Sequence, residues 1–251
     1  MPYLPGKFVW FECVTREVKK AQAFYGEVLG WKIQAFPMGD FTYDMIDAGG
    51  TTVGGYAPPP DPKTPPHWIS VVSVEDVDAT AQKVTAAGGK VLDPPADMPT
   101  VGRLATVTDP EGAAFKIYRA TDGDTPDAPW SQGQFYWNEL YVRDDKKAVA
   151  FYEKVFGYTD KPMEMGPQGV YHVLEKSGAS RAGILTAPPG FAAPSWIPYV
   201  AVDDCDATAA RAKKLGAKIH REPSDIPGIG RWALFADPTG ATIAVIKPAA
   251  K

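Results

Sequence analysis

The sequence predicts an α+β chain assembled from four modules of order strand–helix–strand–strand–strand. Three observations carry this prediction. The 251 residues repeat themselves once, end to end. Each copy contains the βαβββ pattern twice. A 45% apolar composition provides a sizeable core, and 24 glycines and 25 prolines provide the turns that so many short strands need.

The repeat is direct. FVWFECVTREVKKAQAFYGEVLGW from Phe8 returns as FYWNELYVRDDKKAVAFYEKVFGY from Phe135, so that Glu12 falls on Glu139 at an offset of 127. WISVVSVEDVDAT from Trp68 returns as WIPYVAVDDCDAT from Trp196 at an offset of 128. Gly102-Arg103 then matches Gly230-Arg231, and Asp109-Pro110 with Gly112 matches Asp237-Pro238 with Gly240. Between the copies lies ATDGDTPDAPWSQGQ, rich in the Asp, Pro and Gly of linkers. The predicted domains are therefore residues 1–124 and 125–251.

Within copy one, Phe8, Trp10, Glu12 and Val14 alternate as a strand does. Val18, Ala21, Phe24, Tyr25, Val28 and Leu29 recur at helical spacing, and Gly30 stands where a helix stops. Trp31–Phe36, Phe41–Asp47 and Thr51–Tyr56 follow as short strands between Gly, Asp and Pro turns. PPPDPKTPP is a stiff connector. The order then restarts with strand Trp68–Val74, helix Asp76–Ala87, and strands near Lys90–Leu92, Arg103–Thr108 and Ala113–Tyr118.

Composition also sets limits. A formal net charge of −4 with no basic run argues against a nucleic-acid partner, and no apolar stretch approaches a membrane span. Two cysteines, Cys13 and Cys205, give no disulfide framework and no metal knuckle, so the expected location is a reducing cytoplasm.

The segments AFYGEVLGW and AFYEKVFGY, the helix openings VEDVDAT and VDDCDAT, and the turns DPEG and DPTG resemble the vicinal oxygen chelate superfamily of glyoxalases, bleomycin-resistance proteins and extradiol dioxygenases. The resemblance covers both copies. It implies that paired modules curl into half-open barrels, two in tandem, whose concave faces hold a small organic ligand, commonly with a divalent metal. The metal-ligand positions it implies fall on Trp10 and Trp137, Ile69 and Ile197, and Lys116 and Ala244. None of these side chains is a usual ligand, so no metal and no other cofactor is predicted, although an atypical divalent site stays open.

Alternation places Trp10 with Glu12, and Trp137 with Glu139, on the concave face, joined by Tyr43 and Tyr171. Glu12 and Glu139 are the candidate general bases or ligand anchors. Trp10, Tyr43, Lys116, Trp137 and Tyr171 are candidate binding residues; Lys116 is expected to pair with Glu12, and Ala244 gives Glu139 no equivalent lysine. Arg103 and Arg231 either clamp an anionic ligand or pair with acidic neighbours. Two functions remain in contention: a metal-free small-molecule binder with an aromatic-lined cavity, or a lyase, isomerase or hydroxylase-like enzyme that uses Glu139 or Glu12. A module with side-chain-filled cavities is the third class. Whether the copies close on each other or on a second chain of a homodimer is left open.

Overall fold

A computed structural model describes every residue except 40, 167, 168, 189, 190, 192, 250 and 251. Copy one contains β1 (Phe8–Val14), α1 (Val18–Leu29), β2 (Lys32–Met38), β3 (Phe41–Ala48) and β4 (Thr51–Ala57), then β5 (His67–Ser73), α2 (Val77–Ala86), β6 (Lys90–Met98), β7 (Gly102–Thr108) and β8 (Ala114–Ala120). Copy two contains β9 (Phe135–Val142), α3 (Asp145–Phe156), β10 (Thr159–Glu164), β11 (Val170–Lys176) and β12 (Ala179–Thr186), then β13 (Ser195–Ala201), α4 (Cys205–Lys214), β14 (Lys218–Ile226), β15 (Gly230–Ala236) and β16 (Thr242–Pro248). The chain is thus α+β, four βαβββ modules in order.

The strands form two eight-stranded sheets, ordered β2-β3-β4-β1-β5-β8-β7-β6 and β10-β11-β12-β9-β13-β16-β15-β14. Asp76, Asp144 and Asp204 start α2, α3 and α4 by accepting the backbone N–H of Ala79, Lys147 and Ala207. Gly30 and Gly157 end α1 and α3 in the left-handed conformation, which costs a glycine little.

The strand read as Lys90–Leu92 runs on to Met98, through Pro94 and Pro95. Its place at the end of the sheet order explains why: an edge strand tolerates residues that donate no ladder hydrogen bond. Pro223 in β14, at the edge of the other sheet, repeats the case.

By contact, the chain forms two compact units that alternate along the sequence. Unit one is Met1–Val9, Ser70–Ala128 and Trp137–Trp196; unit two is Trp10–Ile69, Pro129–Tyr136 and Ile197–Lys251. The division at 124/125 therefore describes the sequence repeat, while packing pairs the second module with the third, and the first with the fourth. Unit one has a continuous core of Val72, Val84, Val107, Phe115 and Ile117 with Leu140, Phe151, Tyr152, Leu174 and Ile184.

The family-like motifs hold these pairings. In unit one the Trp196 indole N–H donates to Tyr152 Oη at 3.1 Å, and the Tyr152 hydroxyl donates to Asp109 Oδ2 at 3.3 Å. Asp109 Oδ1 in turn accepts the backbone N–H of Glu111 and Ala113, shaping the DPEG turn. One chain of hydrogen bonds so joins three motifs from three modules. In unit two Trp68 donates to Tyr25 at 2.9 Å. Tyr25 faces Asp237, which adds to burial in holding the phenol well above its usual pKa. Asp237 Oδ2 lacks a well-formed hydrogen bond among the described residues, so this second chain is looser.

Candidate functional site

The face of β1 opposite Phe11 and Cys13, which are buried, carries Trp10 and Glu12. Glu12 sits in register with Gly55 of β4, and Gly55 with Met45 of β3. Tyr43, two residues before Met45, therefore shares the face of Glu12. The three side chains connect. Trp10 Nε1–H donates to Tyr43 Oη at 3.0 Å, and the Tyr43 hydroxyl donates to Glu12 Oε1 at 2.7 Å.

Unit one repeats the arrangement. Glu139 is in register with Gly183, and Gly183 with Val173. Trp137 Nε1–H donates to Tyr171 Oη at 2.7 Å, and the Tyr171 hydroxyl donates to the Glu139 carboxylate. Desolvation first, then the carboxylate's charge, pushes both Tyr43 and Tyr171 above the usual phenol pKa. Both tyrosines therefore stay protonated and act as fixed donors at neutral pH.

Glycine makes the chain possible. A Cβ on Gly55 would stand 2.2 Å from Tyr43 Oη, and one on Gly183 would stand 1.9 Å from Tyr171 Oη. The tyrosine lies across the neighbouring strand only because that strand has no side chain there.

The surroundings differ between units. Lys116 is in register with Val71, whereas the matching pair in unit two is Ala244 with Tyr199. One small and one large side chain occupy each pair, in opposite order. Tyr199 stacks on Trp232 with ring centroids 5.7 Å apart. Lys116 belongs to the unit that contains Glu139, and Glu12 to the other. Tyr199, Trp232 and Tyr141 were missed in the sequence. Stepping two residues along the strand from Ile197 reaches Tyr199, and from Glu139 reaches Tyr141.

Arg103 and Arg231 are committed to acidic partners. Arg103 forks onto Asp78 at 2.6 and 2.9 Å and reaches Asp97 at 2.9 Å. Arg231 forks onto Asp206 at 2.5 and 2.8 Å and reaches Asp225 at 3.1 Å. Each clamp fastens a helix start to a neighbouring hairpin. Hydrogen bonds from Arg103 hold the Asp78 carboxyl below its ordinary pKa. A depressed carboxylate adds stability above its unfolded pKa of about 3.9, and that stability is lost as pH falls through the folded value. The stability gap between wild type and Arg103→Gln is thus expected to shrink below about pH 4 in acid-unfolding curves. A constant gap would show the clamp to be electrostatically silent.

His172, buried, hydrogen-bonds Asp160 at 2.7 Å, and His67 bonds the Pro65 carbonyl at 2.9 Å. Burial raises both thiols, Cys205 to about 12. Neither is a nucleophile at neutral pH.

A metal site of the implied kind does not fit these residues. Indole, aliphatic and ammonium groups stand at the ligand positions, and no group of three or more His, Cys, Asp or Glu among the described residues is arranged to hold an ion.

Paired βαβββ modules carrying a polar cluster on the face away from the helices define the class of the protein. Residues 7–117 and 134–245 match the Glyoxalase/Bleomycin resistance protein/Dioxygenase superfamily, and the chain belongs to that family. It is 38% identical to "Putative glyoxylase CFP32" of Mycobacterium tuberculosis, over 98% of this chain and 97% of that protein. It is 30% identical to "Anthracycline biosynthesis protein DauV" of Streptomyces sp. strain C5, over 98% of this chain and 94% of that protein. Among solved structures, the Mn(II)-bound glyoxalase from Novosphingobium aromaticivorans shares the fold, with a TM-score of 0.68 and 20% identity over 97% of this chain and 82% of the other. No helix of the described residues is long and apolar enough to cross a membrane.

Proposed function

We propose that the chain is a binder of a small, flat organic molecule that carries a hydrogen-bond donor or a protonated amine, held at the Trp–Tyr–Glu clusters without a metal. The observation that carries this reading is the duplicated hydrogen-bond chain itself. In each cluster the tyrosine spends its proton on the carboxylate and its lone pair on the indole, so all three groups are oriented before a ligand arrives. The half-buried indoles of Trp10 and Trp137 offer flat apolar area, and the carboxylates offer an oriented anionic acceptor. A full-length relative named for anthracycline biosynthesis is in keeping with a flat aromatic ligand.

The enzymatic alternative, with Glu139 or Glu12 as base, is weaker on this geometry. Each carboxylate already accepts a hydrogen bond from a tyrosine that stays protonated, and that tyrosine takes no proton from it. The ligand is expected to be a small molecule in a reducing cytoplasm, where the buried free thiols Cys13 and Cys205 would persist.

Tryptophan fluorescence tests the reading. A panel of planar amines and phenols should quench wild type, and Glu139→Gln should weaken the affinity about tenfold, the effect of losing one charge-assisted contact of about 1.5 kcal/mol. A panel that leaves the spectrum unchanged, or variants that lose stability without losing affinity, would mean that the rings are core.

A further inference from the structure

Unit one contains a cleft of about 390 Å³ on the helix side of its sheet strands, apart from the Trp–Tyr–Glu cluster. One wall is the face of α2 that carries Asp76, Ala79, Thr80 and Lys83, at helical spacing. The other is the last turn of α3, with Lys154, together with Lys176 at the end of β11. Lys176 is built in. Its stem packs so closely on Gly6 that a Cβ there would stand 2.9 Å from Lys176 Cδ, and its ammonium donates to the Phe156 carbonyl.

The acidic groups in the cleft are Glu75 and Asp76, and Asp76 is engaged in capping α2. Lys83 and Lys154 have no ion pair among the described residues, so helix capping accounts for Lys176 but not for them. Burial lowers the Lys176 pKa, the charge of Glu75 works against this, and the nearby charge of Lys83 adds to the lowering. Like charges brought together in a partly desolvated cleft favour an anionic guest.

The repeat supplies an internal contrast. The positions of Lys154 and Lys176 fall on Glu27 and Ala48 in unit two, and that of Lys83 falls on Arg211. Arg211 reaches the Glu27 carbonyl at 3.4 Å. The three-lysine arrangement is thus particular to unit one and is no by-product of the fold.

We propose that this cleft is a second ligand site, which takes a small polyanionic metabolite of the phosphate-ester class through Lys83, Lys154 and Lys176. Its volume suits a small metabolite. The proposal does not depend on the Trp–Tyr–Glu reading.

Isothermal titration of the full chain with inorganic pyrophosphate at fixed ionic strength tests it. One pyrophosphate per chain is expected, bound more tightly than succinate. Lys83→Gln with Lys154→Gln, both exposed and tolerant of change, should weaken binding about a hundredfold, tenfold for each charge-assisted contact. Lys176→Arg should retain it, and Arg211→Gln in unit two should leave it unchanged. No heat at millimolar pyrophosphate, equal binding of succinate, or equal weakening by Arg211→Gln would overturn the proposal.

Discussion

Replacing Tyr152 with phenylalanine is expected to lower the unfolding free energy by about 3 kcal/mol. Trp196, Tyr152 and Asp109 are all nearly inaccessible, at 2%, 1% and 2% exposure. Removing one hydroxyl takes the acceptor from the Trp196 indole and a donor from Asp109 Oδ2, while the ring and its packing stay. A buried polar group that loses its partner costs about 1–3 kcal/mol, and here two are affected. The same change at Tyr25 should cost less, because Asp237 Oδ2 lacks a well-formed hydrogen bond among the described residues. Urea unfolding of both variants checks the order. Equal and small losses would mean that these chains follow from the packing and do not hold it.

The second large effect is expected at Gly183. Alanine there would place its Cβ 1.9 Å from Tyr171 Oη and 2.3 Å from Cζ, so the ring must leave. Overpacking of this kind costs about 2–3 kcal/mol. Loss of the ring position also removes the donor to Glu139 and the acceptor of Trp137. A double-mutant cycle with Tyr171→Ala isolates the clash: the pair should be more stable than the two single losses predict, by at least about 1 kcal/mol. Additive losses would show that Tyr171 has room to move, and that the cluster is not preorganised.

Much of the fold could be read from the sequence, because its signals are local. Alternation in FVWFECV, helical spacing to Gly30, and a duplicated DP-x-G turn each specify an element without distant information. The repeat supplied the module count. The pairing of modules was not legible: the motifs recur in both copies and so fit either partner, and the choice is made by contacts between distant segments, such as Tyr152 with Asp109. The proline-bearing half of β6 was missed because its edge position, which permits Pro94 and Pro95, is a property of the whole sheet.

The candidate site shows the same boundary. Strand alternation correctly put Trp10 with Glu12 and Trp137 with Glu139, and the repeat matched Tyr43 to Tyr171. That each tyrosine bridges its tryptophan and glutamate depends on Gly55 and Gly183 in a third strand, to which the sequence reading gave no role. That Lys116 shares a contact unit with Glu139 was not legible, because unit membership is set by contacts between distant segments.

The most direct measurement is a crystal structure of the chain soaked with the strongest quenching ligand. The account predicts its ring stacked against the Trp137 or Trp10 indole, with a donor about 3 Å from the Glu139 or Glu12 carboxylate and the Trp–Tyr–Glu hydrogen bonds intact. A ligand bound away from both clusters, or one that displaces the tyrosine from its carboxylate, would contradict it.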